Sequence, residues 1–196
     1  LDAGRQGYII CPLVDEGESD TELASAVKYA DELQRGDFRG YTVGLMHGKM
    51  KSADKKKVME SFSKGETQLL VSTTVIEVGV DVPNAVIMVI ENAERFGLSQ
   101  LHQLRGRIGR GQYKSTCILI TDAKNDTAQR RMKVMETTTD GFKIADEDLR
   151  LRGPGEFFGS RQPGLPEMKI ADMLEDRSTL EETQRAAKEI IARDPE

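Results

Sequence analysis

The run Ala85–Ile90 is near-continuously apolar, and it constrains the fold of this chain more than any other feature. A strand apolar on both faces must be covered on both, as in parallel sheets flanked by helices. Four further short runs read as strands: Tyr8–Leu13, Tyr41–Leu45, Leu69–Val71 and Thr116–Ile120. Between them lie segments of helical period. Thr21–Arg35 would turn Leu23, Val27, Ala30 and Leu33 inward, after an acidic loop at Asp15–Asp20. Ser52 is expected to cap a helix that runs to Ser63 and buries Val58, Met59 and Phe62. Leu98–Gly106 forms a third helix. Strand and helix in alternation imply an α/β doubly wound parallel sheet.

The pattern changes after Thr121. Asp126–Thr137 and Gly141–Leu149 read as two helices across Thr138-Thr139-Asp140, a spacing that suits a helical hairpin. A Gly/Pro-rich stretch, Gly153–Pro166, precedes a last helix at Thr179–Ala192. That stretch holds Phe157, Phe158, Arg161 and Gln162, which favours a functional loop over a plain linker. The expected division is residues 1–122 for the sheet domain and 123–196 for hairpin, loop and C-terminal helix.

Composition narrows the class. At 196 residues with 38% hydrophobic content, the chain can fill a core, and no apolar run approaches membrane-spanning length. No signal peptide is visible, and a cytoplasmic location is expected. The first residue is Leu1 rather than Met, which suggests a piece of a longer protein. Cys11 and Cys117 lie in apolar runs and are expected to be core thiols, not a disulfide or a metal pair. No Cys/His cluster has zinc spacing, so no metal ligand is assigned. The net charge of −5 argues against generic nucleic-acid binding. Its distribution is uneven: residues 101–133 carry eight Lys/Arg against two Asp/Glu, and residues 15–37 carry two against eight. A basic stripe on an acidic body fits contact with phosphates at one face, although ordinary charge scatter explains it as simply.

Two segments carry candidate chemistry. In Gln103-Leu104-Arg105-Gly106-Arg107-Ile108-Gly109-Arg110, a helical reading puts Gln103, Arg107 and Arg110 on one face. Leu101, Leu104 and Ile108 fall on another and can anchor the segment. Two fixed guanidinium forks suit the charge that spreads over oxygens during phosphoryl transfer. A solvated basic face is the plainer alternative. In Leu69–Pro83, Ser72, Thr73 and Thr74 stand where a strand ends, a place where ligands collect in open α/β sheets. Gly79 permits a tight backbone there, and Asp81 could accept a ribose hydroxyl.

Together these segments resemble the second motor domain of superfamily-two helicases, a RecA-like domain of the P-loop NTPase class. Ser72–Thr74 through Gly79-Val80-Asp81 looks like the fifth helicase motif, and Gln103–Arg110 like the sixth. Leu45-Met46-His47-Gly48-Lys49-Met50 looks like the fourth. Downstream, Asp140-Gly141-Phe142, Asp148-Leu149-Arg150-Leu151-Arg152-Gly153-Pro154-Gly155-Glu156 and Gly159-Ser160-Arg161-Gln162-Pro163-Gly164 are similar to the bacterial RecG family. That family is an ATP-dependent DNA helicase that remodels stalled replication forks and Holliday junctions in repair and recombination.

The resemblance implies a set of roles. Arg107 and Arg110 would reach the phosphates of ATP, while Gly79, Asp81 and Gln103 would lie on the nucleotide side. His47, Gly48, Thr73 and Thr74 would lie near a DNA backbone. Arg131 and Arg152 would hold the hairpin together and couple it to the motor, and the Gln162 loop would reach toward DNA. Neither His47 nor His102 has an obvious carboxylate neighbour in sequence, so neither is expected to transfer protons, and His102 should pack beside the sixth motif. Implied partners are branched duplex DNA, a first motor domain and wedge domain of the same protein, and single-strand DNA-binding protein, with no membrane.

What is absent counts equally. No Gly-x-x-x-x-Gly-Lys-[Ser/Thr] loop is present, nor an Asp-Glu pair at a strand end for Mg2+. ATP and Mg2+ would therefore be held mainly by the first motor domain, and this chain alone should be inactive. Two other readings share part of this pattern: a transcription-repair coupling translocase, and a non-enzymatic module that binds nucleic acid or protein. The set Gln103, Arg107, Arg110, Gly79 and Asp81 weighs against the second, because pure binding has little use for a nucleotide face.

Overall fold

The computed structural model describes residues 1–12, 19–73, 81–152 and 177–193. Five strands form one parallel sheet in the order β2-β3-β1-β4-β5. They are β1 (Gln6–Ile10), β2 (Val43–Met46), β3 (Leu69–Ser72), β4 (Ala85–Ile90) and β5 (Thr116–Leu119). The helices are α1 (Ser19–Arg35), α2 (Ser52–Ser63), α3 (Leu98–Arg105), α4 (Asp126–Thr137), α5 (Gly141–Arg152) and α6 (Arg177–Arg193). A short 3-10 turn covers Ala93–Arg95.

The central strands β1 and β3 are buried along their whole length, as unbroken apolar runs in a parallel sheet should be. Each sheet face has its own cover. On one, Ile9, Leu69 and Val71 pack with Ala30 of α1, joined by Tyr29 and Leu33. The opposite parity of the strands supplies Tyr8, Ile10 and Leu70, all nearly inaccessible. The Tyr8 ring meets the Phe62 ring of α2 at 4.8 Å between centroids. Buried Gln6 satisfies its amide with the Phe62 and Thr67 carbonyls and accepts from Asn84, tying β1 to α2 and to the loop before β4.

Three expected details differ. Val27 is 42% exposed; among the described α1 side chains Ala26 and Ala30 are buried, so the inward stripe lies one position earlier at that turn. The side chain of Leu23 lies outside the described residues. Ser52 is the first helical residue of α2 instead of its cap; Lys51 holds the cap position and supplies no side-chain bond. Cys11 and Cys117 are free thiols, but half-buried and not deep in the core.

Residues Leu1–Asp148 form one compact unit and Leu149–Glu196 another. In the first, α4 and α5 are joined by Thr138–Asp140. Asn125 caps α4 by accepting from the Ala128 amide at 2.8 Å. Asp140 does the same for α5, accepting from the Phe142 amide at 2.9 Å. In the second, the described side chains of α6 are exposed, Ile190 and Ile191 among them. Replacing the α4 cap, Asn125→Ala, is expected to cost about 1 kcal/mol. For a unit of this size that lowers the melting midpoint by about 2–4 °C. Circular dichroism melts of the two chains test this.

Candidate nucleotide and nucleic-acid site

The third helix is seated by Leu98, Leu101 and Leu104, all essentially inaccessible, with Ile108 just beyond it. This i, i+3, i+6 stripe locks α3 against the sheet. Gln100 accepts from the Gly97 amide at 2.9 Å and closes its first turn. The helix stops at Arg105, with Gly106 at the cap. Arg107 and Arg110 therefore do not continue the helical face of Gln103, as the i, i+4, i+7 spacing predicts. They lie on the loop that follows, while Gln103 is exposed on α3. The physical reason is the pair of glycines. Gly109 sits at φ 76, a left-handed conformation that ends helical geometry. Gly111 passes so close to the Pro83 carbonyl that a Cβ there would collide with it.

That close passage brings the two motifs together. Arg110 Nη1 lies 3.6 Å from Asp81 Oδ1, and Arg110 Nε donates to the Gly106 carbonyl at 2.8 Å. Both partners of the ion pair are about half exposed, 45% and 50%, so the pair contributes little to stability and stays open to a ligand. Tyr8, which sequence reasoning treats only as a strand residue, is electrostatically coupled to the same group. Burial pushes its hydroxyl up to about 12, with Arg107 and Arg110 opposing and Asp81 adding to the rise. Arg5 lies 3.3 Å over the Tyr113 ring and pins the far end of the loop. Asp81, Arg107 and Arg110 thus gather beside the entrance to β4, at the amino-terminal edge of the sheet. Asp81→Asn should shift thermal stability by less than about 1 kcal/mol, because the ion pair is half exposed; a larger loss in a denaturant titration would show it to be structural.

His47 and Thr73 gather at the other edge, following β2 and β3. The Thr73 amide donates to the carbonyl of Met46, the residue before His47, at 3.1 Å. His47 Nδ1 and Thr73 Oγ1 are buried atoms with no hydrogen-bond partner among the described residues. Unsatisfied buried polar atoms at the ends of two adjacent strands are costly unless a ligand or water completes them. Burial lowers the His47 pKa, and Lys55 and Lys49 lower it further. Gly48 is exposed beside them. Gly79, Thr74 and Gln162 lie outside the described residues, as does the side chain of Arg152.

Arg131 makes a different contact from the one expected. Its Nη1 donates to the Glu94 carbonyl at 3.4 Å, so the bond joins α4 to the 3-10 turn after β4 and not to α5. Arg105 is the residue that sequence reasoning passed over. Its Nη1 donates to the Met135 and Thr138 carbonyls at 2.7 and 2.9 Å, and its Nη2 lies 3.2 Å from His102 Nδ1. The signal was available, since a basic residue in a last helical turn is a standard partner for helix-end carbonyls. Nothing in the sequence shows that the carbonyls belong to α4.

Comparison with known proteins agrees with this geometry. Residues 2–112 match the helicase conserved C-terminal domain, and this chain belongs to that family. Residues 138–196 match the model described as ATP-dependent DNA helicase RecG, domain 3, C-terminal. The chain is 53% identical over 195 residues to the ATP-dependent DNA helicase RecG of Bacillus subtilis, covering 99% of this chain and 28% of that protein. It is 52% identical to the RecG of Synechocystis, covering 98% of this chain and 23% of that one. A solved structure, RecG bound to a three-way DNA junction, superposes with a TM-score of 0.68 at 46% identity, over 92% of this chain and 22% of that one. The sheet is therefore the RecA-like fold of helicase C-terminal domains, and the chain spans about a quarter of the length of these relatives.

Among the described residues, no group of three or more His, Cys, Asp or Glu could hold a metal ion, and no helix is long and apolar enough to cross a membrane. The imidazole of His47 should titrate below 6.5, which NMR measures directly. The unfolded chain then takes up this proton first, so stability falls as the pH drops through 6.5. A midpoint above 6.5 would require an anionic neighbour.

Proposed function

We propose that this chain is the second motor domain and translocation appendage of an ATP-dependent helicase that acts on branched DNA. Its work would be the remodelling of stalled replication forks and Holliday junctions in DNA repair and recombination, in the bacterial cytoplasm and at the nucleoid. The division is residues 1–122 for the motor and 123–196 for the appendage. The observation that carries this reading is the convergence of Asp81 and Arg110, 29 positions apart in sequence, at an exposed edge, with the chain similar almost end to end to RecG proteins.

The chemistry follows from the residues. ATP would be held, with Mg2+, mainly by a first motor domain facing this edge. Two guanidiniums fit the donor set that phosphate oxygens need. Arg110 exchanges Asp81 for phosphate oxygens when the two domains close, which frees the Asp81 carboxylate for a ribose hydroxyl. Arg107, Gly79 and Gln103 complete the nucleotide face. At the opposite edge, His47 stays neutral at neutral pH and offers a hydrogen bond to a DNA phosphate. Thr73 offers a second, with Gly48 and Thr74 beside them. Arg131 and Arg152 couple the appendage to the motor, and Gln162 reaches toward DNA. Partners are branched duplex DNA, the first motor and wedge domains, and single-strand DNA-binding protein.

By itself this chain is expected to hydrolyse no ATP. In the full-length protein, Arg110→Ala should lower fork-stimulated hydrolysis by roughly 10³-fold or more. Gln162→Ala should damage fork unwinding more than hydrolysis. Full hydrolysis in the Arg110 variant would remove that residue from the nucleotide face, and equal loss of both activities in the Gln162 variant would remove it from coupling.

A further inference from the structure

The loop that carries Arg107 and Arg110 begins where α3 ends, and the last residue of α3 is Arg105. That side chain does not point back to the loop. It reaches the end of α4, donating to the Met135 and Thr138 carbonyls at 2.7 and 2.9 Å. Carbonyls at a helix end lack intrahelical partners and carry the negative end of the helix dipole, so a guanidinium fork is well matched to them. Its other nitrogen lies 3.2 Å from His102 Nδ1, one turn earlier on α3. The far side of the same imidazole abuts the start of α5: a Cβ on Gly141 would stand 3.1 Å from His102 Nε2. Arg105 therefore holds one end of the Thr138–Asp140 turn, and His102 lies against the other. A third contact, Ser99 Oγ to Asp148 Oδ2 at 3.3 Å, holds α5 further along.

An open cleft of about 360 Å³ lies between β5 and α4, lined by Arg105, Cys117, Leu119, Met132 and Met135. The Arg105 fork holds the end of α4 beside that cleft. We propose that Arg105 is a positioning residue, which with His102 forms a latch that passes movement of the Arg107–Arg110 loop to the α4–α5 turn. The inference rests on the motor reading above and adds a transmission element to it. The latch touches neither nucleotide nor DNA, so its loss leaves both binding faces intact and disconnects them.

The test measures fork-stimulated ATP hydrolysis and fork unwinding in the full-length protein. Arg105→Met is expected to keep hydrolysis within about twofold of wild type while unwinding falls tenfold or more. Arg105→Lys, which keeps the charge but loses the fork, should fall between. Gly141→Ala attacks the other end of the latch and should give the same split without touching Arg105. In the isolated chain, Arg105→Met should speed amide exchange at Thr138 and Asp140 while leaving β1 amides unchanged. A parallel loss of hydrolysis and unwinding in both Arg105→Met and Gly141→Ala, or unchanged unwinding in both, would overturn the latch. Wild-type protein that hydrolyses no ATP on forked DNA would instead overturn the motor reading, and the latch with it.

Discussion

The burial of α3 is the constraint on which the rest depends. Leu98, Leu101 and Leu104 are all buried and anchor this short helix in the core. An eight-residue helix has little stability of its own in water, so its position comes from that apolar stripe. Everything functional near it is then fixed by short tethers. The arginine loop leaves one end, with Gly111 pressed against the Pro83 carbonyl. Helices α4 and α5 attach to its flank through Arg105 and Ser99, with His102 lying against the start of α5. A single buried stripe thereby places the Arg107–Arg110 loop and the α4–α5 turn in one frame.

Polarity is sorted by sheet edge. The Arg110–Asp81 ion pair stands at the entrance to β4, half exposed. Neutral donors stand at the exits of β2 and β3, where His47 and Thr73 hold buried atoms with no partner among the described residues. In a parallel sheet these edges are separated by the length of the strands. Any communication between them must pass through rigid elements, and α3, running back between the edges, is such an element.

Much of this was legible in the residues. Ala85–Ile90 appears as a strand with its expected limits, because an unbroken apolar run has few other options. The starts and stops of α2, α4 and β3 fell within a residue of expectation. The failures are local and physical. Extending one helical period through Gly106 and Gly109 put Arg107 and Arg110 on a helix that had already ended. Val27 fits a helical stripe on paper, but the strands are met by Ala30 with Tyr29 and Leu33. The partners of Arg105 and the Arg131–Glu94 contact were invisible because both depend on tertiary placement of carbonyl groups. Sequence spacing says nothing about such groups.

The two cysteines carry a practical consequence. Burial raises both thiols to about 11, with Glu91 adding to the effect at Cys11 and Arg105 opposing it at Cys117. At neutral pH the reactive thiolate is then on the order of one part in ten thousand of each, given ordinary titration behaviour. Both thiols should therefore react with maleimide more slowly than an unburied cysteine. A cysteine introduced on the exposed face of α4 or α5 would outpace them in taking a fluorophore. The fold thus gives a kinetic margin for distance measurements between the arginine loop and the α4–α5 turn.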